Sequence, residues 1–260
     1  MAEPIPLLVS ETLRKAHFAH GFSTRAGGVS EPPFDSLDFA TLRDPVALRE
    51  NQRRLAAAVG FDPARLFQVH QVHGPALVVA AGDPAEVLQQ QADALVAEPG
   101  SGHAVAIRIA DCVPVLLADP TTGRVAAVHA GWRGVVADVV GTAVRHLGAS
   151  GAAGSELLAA VGPCIGSCCF EVSADVGETI ARATTPSAIA RRDEARGKVF
   201  VDLRAAVRSQ LQNLGLAAAA IEDVPDPTSA GCTRCDAKRF YSYRRDGDAS
   251  GRLIAVIASR

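Results

Sequence analysis

The sequence predicts a mixed α/β fold, organised as a single domain over residues 1–260. Short apolar runs bounded by Gly and Pro alternate with stretches of helical spacing. No tandem repeat, low-complexity tail or compositional shift marks a linker. Hydrophobic residues make up 48% of the chain and charged residues 21%, which is enough apolar material for a core and too much for a disordered chain.

Taken in order, residues 20–38 read as a strand end followed by a turn-rich loop, because Gly21, Gly27-Gly28 and Pro32-Pro33 punctuate them. Asp44-Pro45 then offers an N-cap and a first-turn proline. The apolar stripe Val46, Leu48, Leu55, Ala58 and Val59 predicts a helix ending at Gly60. Residues 66–80 turn strand-like around Leu77-Val78-Val79. The runs 104–109, 113–118 and 125–128 predict three neighbouring buried strands. Helical spacing returns at 135–147 after Gly134, and 157–161 is a strand. Residues 173–183 and 203–214 read as amphipathic helices, the second with Ser209-Gln210 on its polar face and Gly215 at its end. Residues 184–197 are polar enough for a surface excursion, and 253–257 form the last strand.

Charge excludes one class of partner. Lys and Arg total 26 against 28 Asp and Glu, so the chain lacks the concentrated basic surface that grips a nucleic-acid backbone. Charged residues interrupt every apolar run before the roughly 20 residues needed to cross a bilayer, which argues against a membrane partner. Residues 1–20 lack the basic, apolar and small-residue regions of a secretory signal, so a cytoplasmic location is expected. Cys112, Cys164, Cys168, Cys169, Cys232 and Cys235 are then expected as thiols. Composition does not decide the oligomeric state.

Candidate chemistry gathers in Gln71-Val72-His73-Gly74, Ala110-Asp111-Cys112 and the segment His129-Ala130-Gly131-Trp132-Arg133-Gly134. Each lies at a strand edge, where a rigid sheet can aim side chains at one point. Two imidazoles and a thiolate suit zinc and leave a fourth position open. The same residues also suit a nucleophilic Cys112 activated by His129, or simple packing, and their spacing matches no compact zinc motif. Cys232-Thr233-Arg234-Cys235 is half of a structural zinc pattern. Cys164 with Cys168 or Cys169 could supply the other half, but without a second C-x-x-C these thiols are expected to pack. By strand period His70 points away from His73, and His17, His20, His103 and His146 have no supporting context. Trp132 is expected as a packing anchor.

Six segments in the same order resemble the YfiH family. They are the run from His20 to Ser30, the Gln-Val-His-Gly, Ala-Asp-Cys and His-Ala-Gly-Trp-Arg-Gly motifs, Gly162-Pro163-Cys164-Ile165-Gly166, and the run from Phe240 to Gly247. The resemblance implies layered β-sheets flanked by helices and one catalytic zinc on His73, Cys112 and His129. It further implies a laccase-like zinc enzyme acting on purine nucleosides, with purine nucleoside phosphorylase and adenosine deaminase activities and phosphate as co-substrate.

Within the matching segments Arg25, Arg133, Arg244 and Arg245 are candidate phosphate ligands, because guanidinium forks match phosphate oxygens. Asp111 is a candidate general acid or base, or a carboxylate that orients a histidine. Asp38 stands where the family usually has an Asn. The alternatives are a Cys-His thiol hydrolase, a factor editing peptidoglycan precursors, and a copper polyphenol oxidase. Multicopper chemistry would require more histidines than these segments provide.

Overall fold

A computed structural model describes residues 5–40, 43–148, 156–224 and 231–260. In chain order its first elements are β1 (Leu7–Leu8), α1 (Glu11–Lys15), β2 (His20–Ser23), α2 (Pro45–Val59), β3 (Leu66–Phe67), β4 (Leu77–Val79), α3 (Pro84–Val87) and β5 (Ala94–Ala97). The middle contains β6 (Ala104–Ile109), β7 (Val113–Ala118), β8 (Val125–Ala130), α4 (Trp132–Val136), α5 (Val139–Gly148) and β9 (Leu158–Val161). It continues through β10 (Glu171–Ser173), α6 (Ala174–Ala183), β11 (Ile189–Asp193), β12 (Lys198–Val201) and α7 (Leu203–Asn213). The last elements are β13 (Ile221–Asp223), α8 (Tyr243–Asp246) and β14 (Leu253–Ala258).

Two large sheets form the centre. One has the order β1-β2-β14-β6-β3 and the other β13-β9-β7-β8-β5-β4; a smaller sheet, β10-β12-β11, is separate from them in hydrogen bonding, though Val199 and Val201 of β12 join the core on the outer face of the second. Phe22, Ile107 and Leu253 of the first sheet pack on Leu95, Leu116 and Ala127 of the second. The outer face of the first sheet packs Ala106, Ile254 and Val256 on Leu55 of α2. The outer face of the second packs Val115, Leu117 and Val128 on Val140, Val207 and Leu211 of α5 and α7. These layers, helix outside and sheet inside, explain why β7, β8 and β14 are buried along their whole length. A strand covered on both faces loses the polar alternation of a half-exposed one.

Local chemistry accounts for the helix that was most legible. The Asp44 carboxylate accepts the amides of Val46 and Ala47, Pro45 opens α2, and Gly60 closes it at φ 93°. That left-handed angle costs a glycine little.

Three sequence expectations require correction. The strands at 104–109 and 113–118 are not sheet neighbours, because β6 belongs to the first sheet and β7 to the second. The helical run after Gly134 is two helices; Gly134 lies inside α4, and the turn falls at Asp138, φ 64°. Gln210 is buried and donates to the Val135 carbonyl at 2.9 Å, so it joins α7 to α4 and does not face water. The polar excursion at 184–197 lies at the surface, as expected, and contains β11, paired with β12.

Candidate metal centre and active site

The crossings between the two sheets build the site. Residues 110–112 carry the chain from β6 in one sheet to β7 in the other, and His73 lies on the link from β3 to β4, which makes the same crossing. His129 comes from β8, on the same strand face as Val125 and Ala127, which fill the space between the sheets. At the open end of that space the three side chains converge. His70 is exposed and outside the cluster, but strand period is not the reason, because β3 ends at Phe67 and His73 lies on a link.

The ligand atoms of His73, Cys112 and His129 all lie within 4.8 Å of one another. Cys112 Sγ is 3.8 Å from His73 Nε2, and the two imidazoles meet edge to face with centroids 4.8 Å apart. A tetrahedral ion with bonds of about 2.0–2.3 Å separates its donors by roughly 3.3–3.8 Å, close to this arrangement. The backbone makes room for it. A Cβ on Gly131 would stand 2.7 Å from His73 Cδ2 and 3.1 Å from Cys112 Sγ. His73 and Asp111 hold left-handed backbone at φ 63° and 91°, strain that an L side chain tolerates only where its surroundings demand it.

Asp93, which no sequence signal singles out, organises both histidines. Its Oδ1 accepts His129 Nδ1 at 2.7 Å, while Oδ2 accepts the amides of Val72 at 3.1 Å and Gly74 at 2.7 Å. An ionised carboxylate only accepts, so Nδ1 carries the proton and Nε2 is left for a metal. Asp111, offered by the sequence for orienting a histidine, does something else. Its carboxylate accepts Thr233 Oγ1 at 2.6 Å, Ser242 Oγ at 3.0 Å and the Arg244 amide at 2.6 Å.

Electrostatics bind the three groups into one unit. Burial opposes a charge on Cys112, but the His129 cation and hydrogen bonds from both imidazoles outweigh it and bring the thiol down to about 6. Burial likewise opposes a charge on His129. The Cys112 thiolate and the Asp93 carboxylate overcome that cost and raise it to about 9. A thiolate and two nitrogens facing one point form a donor set suited to a metal such as zinc, and Gly131 lets His73 and Cys112 approach each other.

A cavity of about 720 Å³ opens onto these ligands and is lined by Arg43, Arg108, Arg244 and Arg252, with Phe170 and Tyr243 as its aromatic walls. Of the four sequence candidates for phosphate, only Arg244 lines it. Arg25 is held by the carbonyls of Asp35 and Ala237 and stacks over Tyr241, Arg133 lies over Trp132, and Arg245 is tied to the carbonyls of Thr233, Arg234 and Phe240 and to Asp246. These three are engaged outside the cavity, and motif membership does not separate such arginines from those that line it. Trp132 packs against the helical layer, as its anchor role predicts.

Arg108 is the cavity residue with an unmet need. Its Nη2 donates to the Val69 carbonyl at 2.9 Å, but its buried Nη1 has no partner. Burial, followed by the charge of Arg252, brings it down to about 10. Burial and Arg43 lower Arg252 in turn. Asp38 sits behind this group. It accepts the Arg252 amide at 2.6 Å and Arg43 Nη1 at 3.3 Å, and it does not line the cavity.

Cys232 and Cys235 are free thiols, as expected, and they converge with Cys168 and Cys169.

The family model described as multi-copper polyphenol oxidoreductase laccase matches residues 19–260. The chain is 39% identical over 249 residues to a purine nucleoside phosphorylase of Streptomyces coelicolor, covering 95% of this chain and 97% of that one. It is 40% identical over 262 residues to a purine nucleoside phosphorylase of Deinococcus radiodurans, with 98% and 94% covered. The crystal structure of the YfiH protein of Bacillus licheniformis superposes with a TM-score of 0.87 at 28% identity, covering 99% of this chain and 97% of that one.

Proposed function

The chain belongs to the YfiH family of laccase-like proteins, and we propose that it is a zinc-dependent purine nucleoside phosphorylase whose site also deaminates adenosine. The reading rests chiefly on one observation, the convergence of His73, Cys112 and His129 at the mouth of an arginine-lined cavity. Relatives named purine nucleoside phosphorylase at about 40% identity supply the reaction class. Adenosine, inosine, guanosine and methylthioadenosine are the proposed substrates, within one catalytic unit over residues 1–260. Free thiols fit a cytoplasmic location.

Phosphorolysis requires phosphate beside the ribose C1′ carbon. A phosphate oxygen forms a bond to C1′, the bond from C1′ to the purine nitrogen breaks, and its electron pair leaves with the base. Arg108 supplies the unpartnered Nη1 donor, and Arg252 and Arg43 are the neighbouring cations that a dianion would relieve of mutual repulsion. Phe170 and Tyr243 offer aromatic faces to the purine. Asp111 acts as a positioning residue, holding the Arg244 backbone through a carboxylate whose oxygens are already engaged. His73, Cys112 and His129 would hold the zinc, which when bound would supply Lewis-acid polarisation.

Metal-quantified protein incubated with adenosine or inosine tests the reading. Free base and ribose 1-phosphate should form only with phosphate present, and adenosine alone should release ammonia and leave inosine. Fully metal-loaded protein that consumes neither nucleoside would refute it.

One observation favours a second reading. Asp93, His129 and Cys112 also form a carboxylate, imidazole and thiol series, the arrangement of a thiol hydrolase. His73 weighs against it, because a thiol nucleophile does not need a second imidazole at 3.8 Å.

A further inference from the structure

We infer that the protein carries a second, structural zinc site made of Cys168, Cys169, Cys232 and Cys235. Their four sulfurs all lie within 4.8 Å of one another. Cys169 to Cys235 is 3.3 Å, Cys168 to Cys169 is 3.6 Å and Cys168 to Cys235 is 3.7 Å. A tetrathiolate zinc with bonds of about 2.3 Å has sulfur–sulfur edges of roughly 3.8 Å. A disulfide is far shorter, about 2.05 Å, and would use only two of the four.

Hydrogen-bond donors reach two of the four sulfurs. The Gly166 amide donates to Cys232 Sγ at 3.2 Å, and Arg234 Nη1 donates to Cys169 Sγ at 3.4 Å. Donors aimed at sulfur favour its anionic form, which is the form that binds metal. A Cβ on Gly166 would come within 3.2 Å of Cys232 Cβ and 3.3 Å of Cys168 Sγ, so the glycine keeps the cluster closed. Four protein ligands leave no open position, which makes the site structural.

The cluster clasps two loops beneath the cavity. One runs through the turn in which the amides of Cys169 and Phe170 donate to the Gly166 carbonyl; it carries Ile165 and Phe170 into the cavity lining. The other carries Thr233, whose hydroxyl holds Asp111 and whose amide donates to the Cys164 carbonyl. Zinc here would tie the cavity floor to the segment that fixes Asp111. The proposal does not depend on the catalytic reading, because it involves none of His73, Cys112 or His129.

Metal analysis of protein purified without oxygen tests it. The wild type should hold two zinc ions per chain. Cys168→Ser with Cys235→Ser should lose one, and His73→Ala with His129→Ala should keep one. After cobalt exchange, that histidine variant should show the intense sulfur-to-cobalt charge-transfer bands of a tetrathiolate. If the double cysteine variant does not fold, Cys235→Ser alone should release one zinc to a chelator faster than the wild type. Unchanged zinc content in the folded double cysteine variant overturns the proposal. So does a histidine variant that holds no zinc while its four cluster thiols react freely, or a native Cys169–Cys235 disulfide without metal.

Discussion

His129 and Asp93 are joined twice: the imidazole Nδ1 donates to the carboxylate at 2.7 Å, and the His129 amide donates to the Asp93 carbonyl at 2.7 Å. The second bond fixes the strand and the first fixes the ring. Because the same carboxylate also holds the amides flanking His73, Asp93→Asn should loosen two ligands at once. Zinc affinity at the histidine site should fall about 10- to 100-fold. Competition with a chelator of known affinity measures it, and an unchanged constant would contradict the role given to Asp93.

Gly131→Ala tests the shape of the same site. The added methyl would collide with His73 Cδ2 at 2.7 Å and with Cys112 Sγ at 3.1 Å, so the ligands must part. Zinc at this site should be lost while the far-ultraviolet circular dichroism stays that of the wild type. Full occupancy would show that the ligands can move aside.

Arg108→Lys should weaken phosphate binding selectively. A hydrogen bond to a charged group contributes about 1.5–3 kcal/mol, roughly a 10- to 100-fold effect, and lysine cannot reproduce the fork that reaches both Val69 and the cavity. The KM for phosphate should rise within that range and the KM for nucleoside should change little. Equal effects on both would move phosphate elsewhere in the cavity.

Removal of metal separates zinc chemistry from thiol chemistry at Cys112. Coordinated thiolate is a poor nucleophile, whereas a free one brought down to about 6 beside His129 is reactive at neutral pH. Chelation should abolish turnover and speed alkylation of Cys112, and zinc added before the alkylating agent should restore activity. A chelated protein that stays active and traps substrate on Cys112 would establish the thiol hydrolase.

Stability should fall in mild acid through His20. The ring is buried, with Nε2 accepting the Ser10 amide at 2.8 Å and Nδ1 donating to Phe18 at 2.7 Å, and burial holds its pKa below the ordinary 6.5. Below 6.5 the unfolded chain therefore takes up a proton that the folded chain does not, and stability declines as pH falls toward the lowered folded value. Thermal melts of the wild type and His20→Gln across pH 7 to 5 should show a smaller decline in the variant. Parallel declines would assign the acid sensitivity to other groups.

The sequence alone determined those features whose causes are local. Asp44, Pro45 and Gly60 bounded α2 because caps and left-handed turns act within a few residues. The apolar runs of β6, β7 and β14 announced buried strands, and the segments around His73, Cys112 and His129 marked out the residues that converge. Only the tertiary structure decided that β6 and β7 lie in different sheets, because an apolar run records burial and not its neighbour. The same limit hid Asp93, an acid in an unremarkable stretch until β5 pairs with β8 and brings it to His129. It also left Arg25 and Arg245 indistinguishable from Arg108: a guanidinium's charge is written in the chain, but whether it meets a carbonyl or an empty cavity depends on contacts distant in sequence. The four cysteines follow the same logic, since two adjacent thiols and one C-x-x-C become a single cluster only when the Gly166 turn and the Thr233 loop pack together.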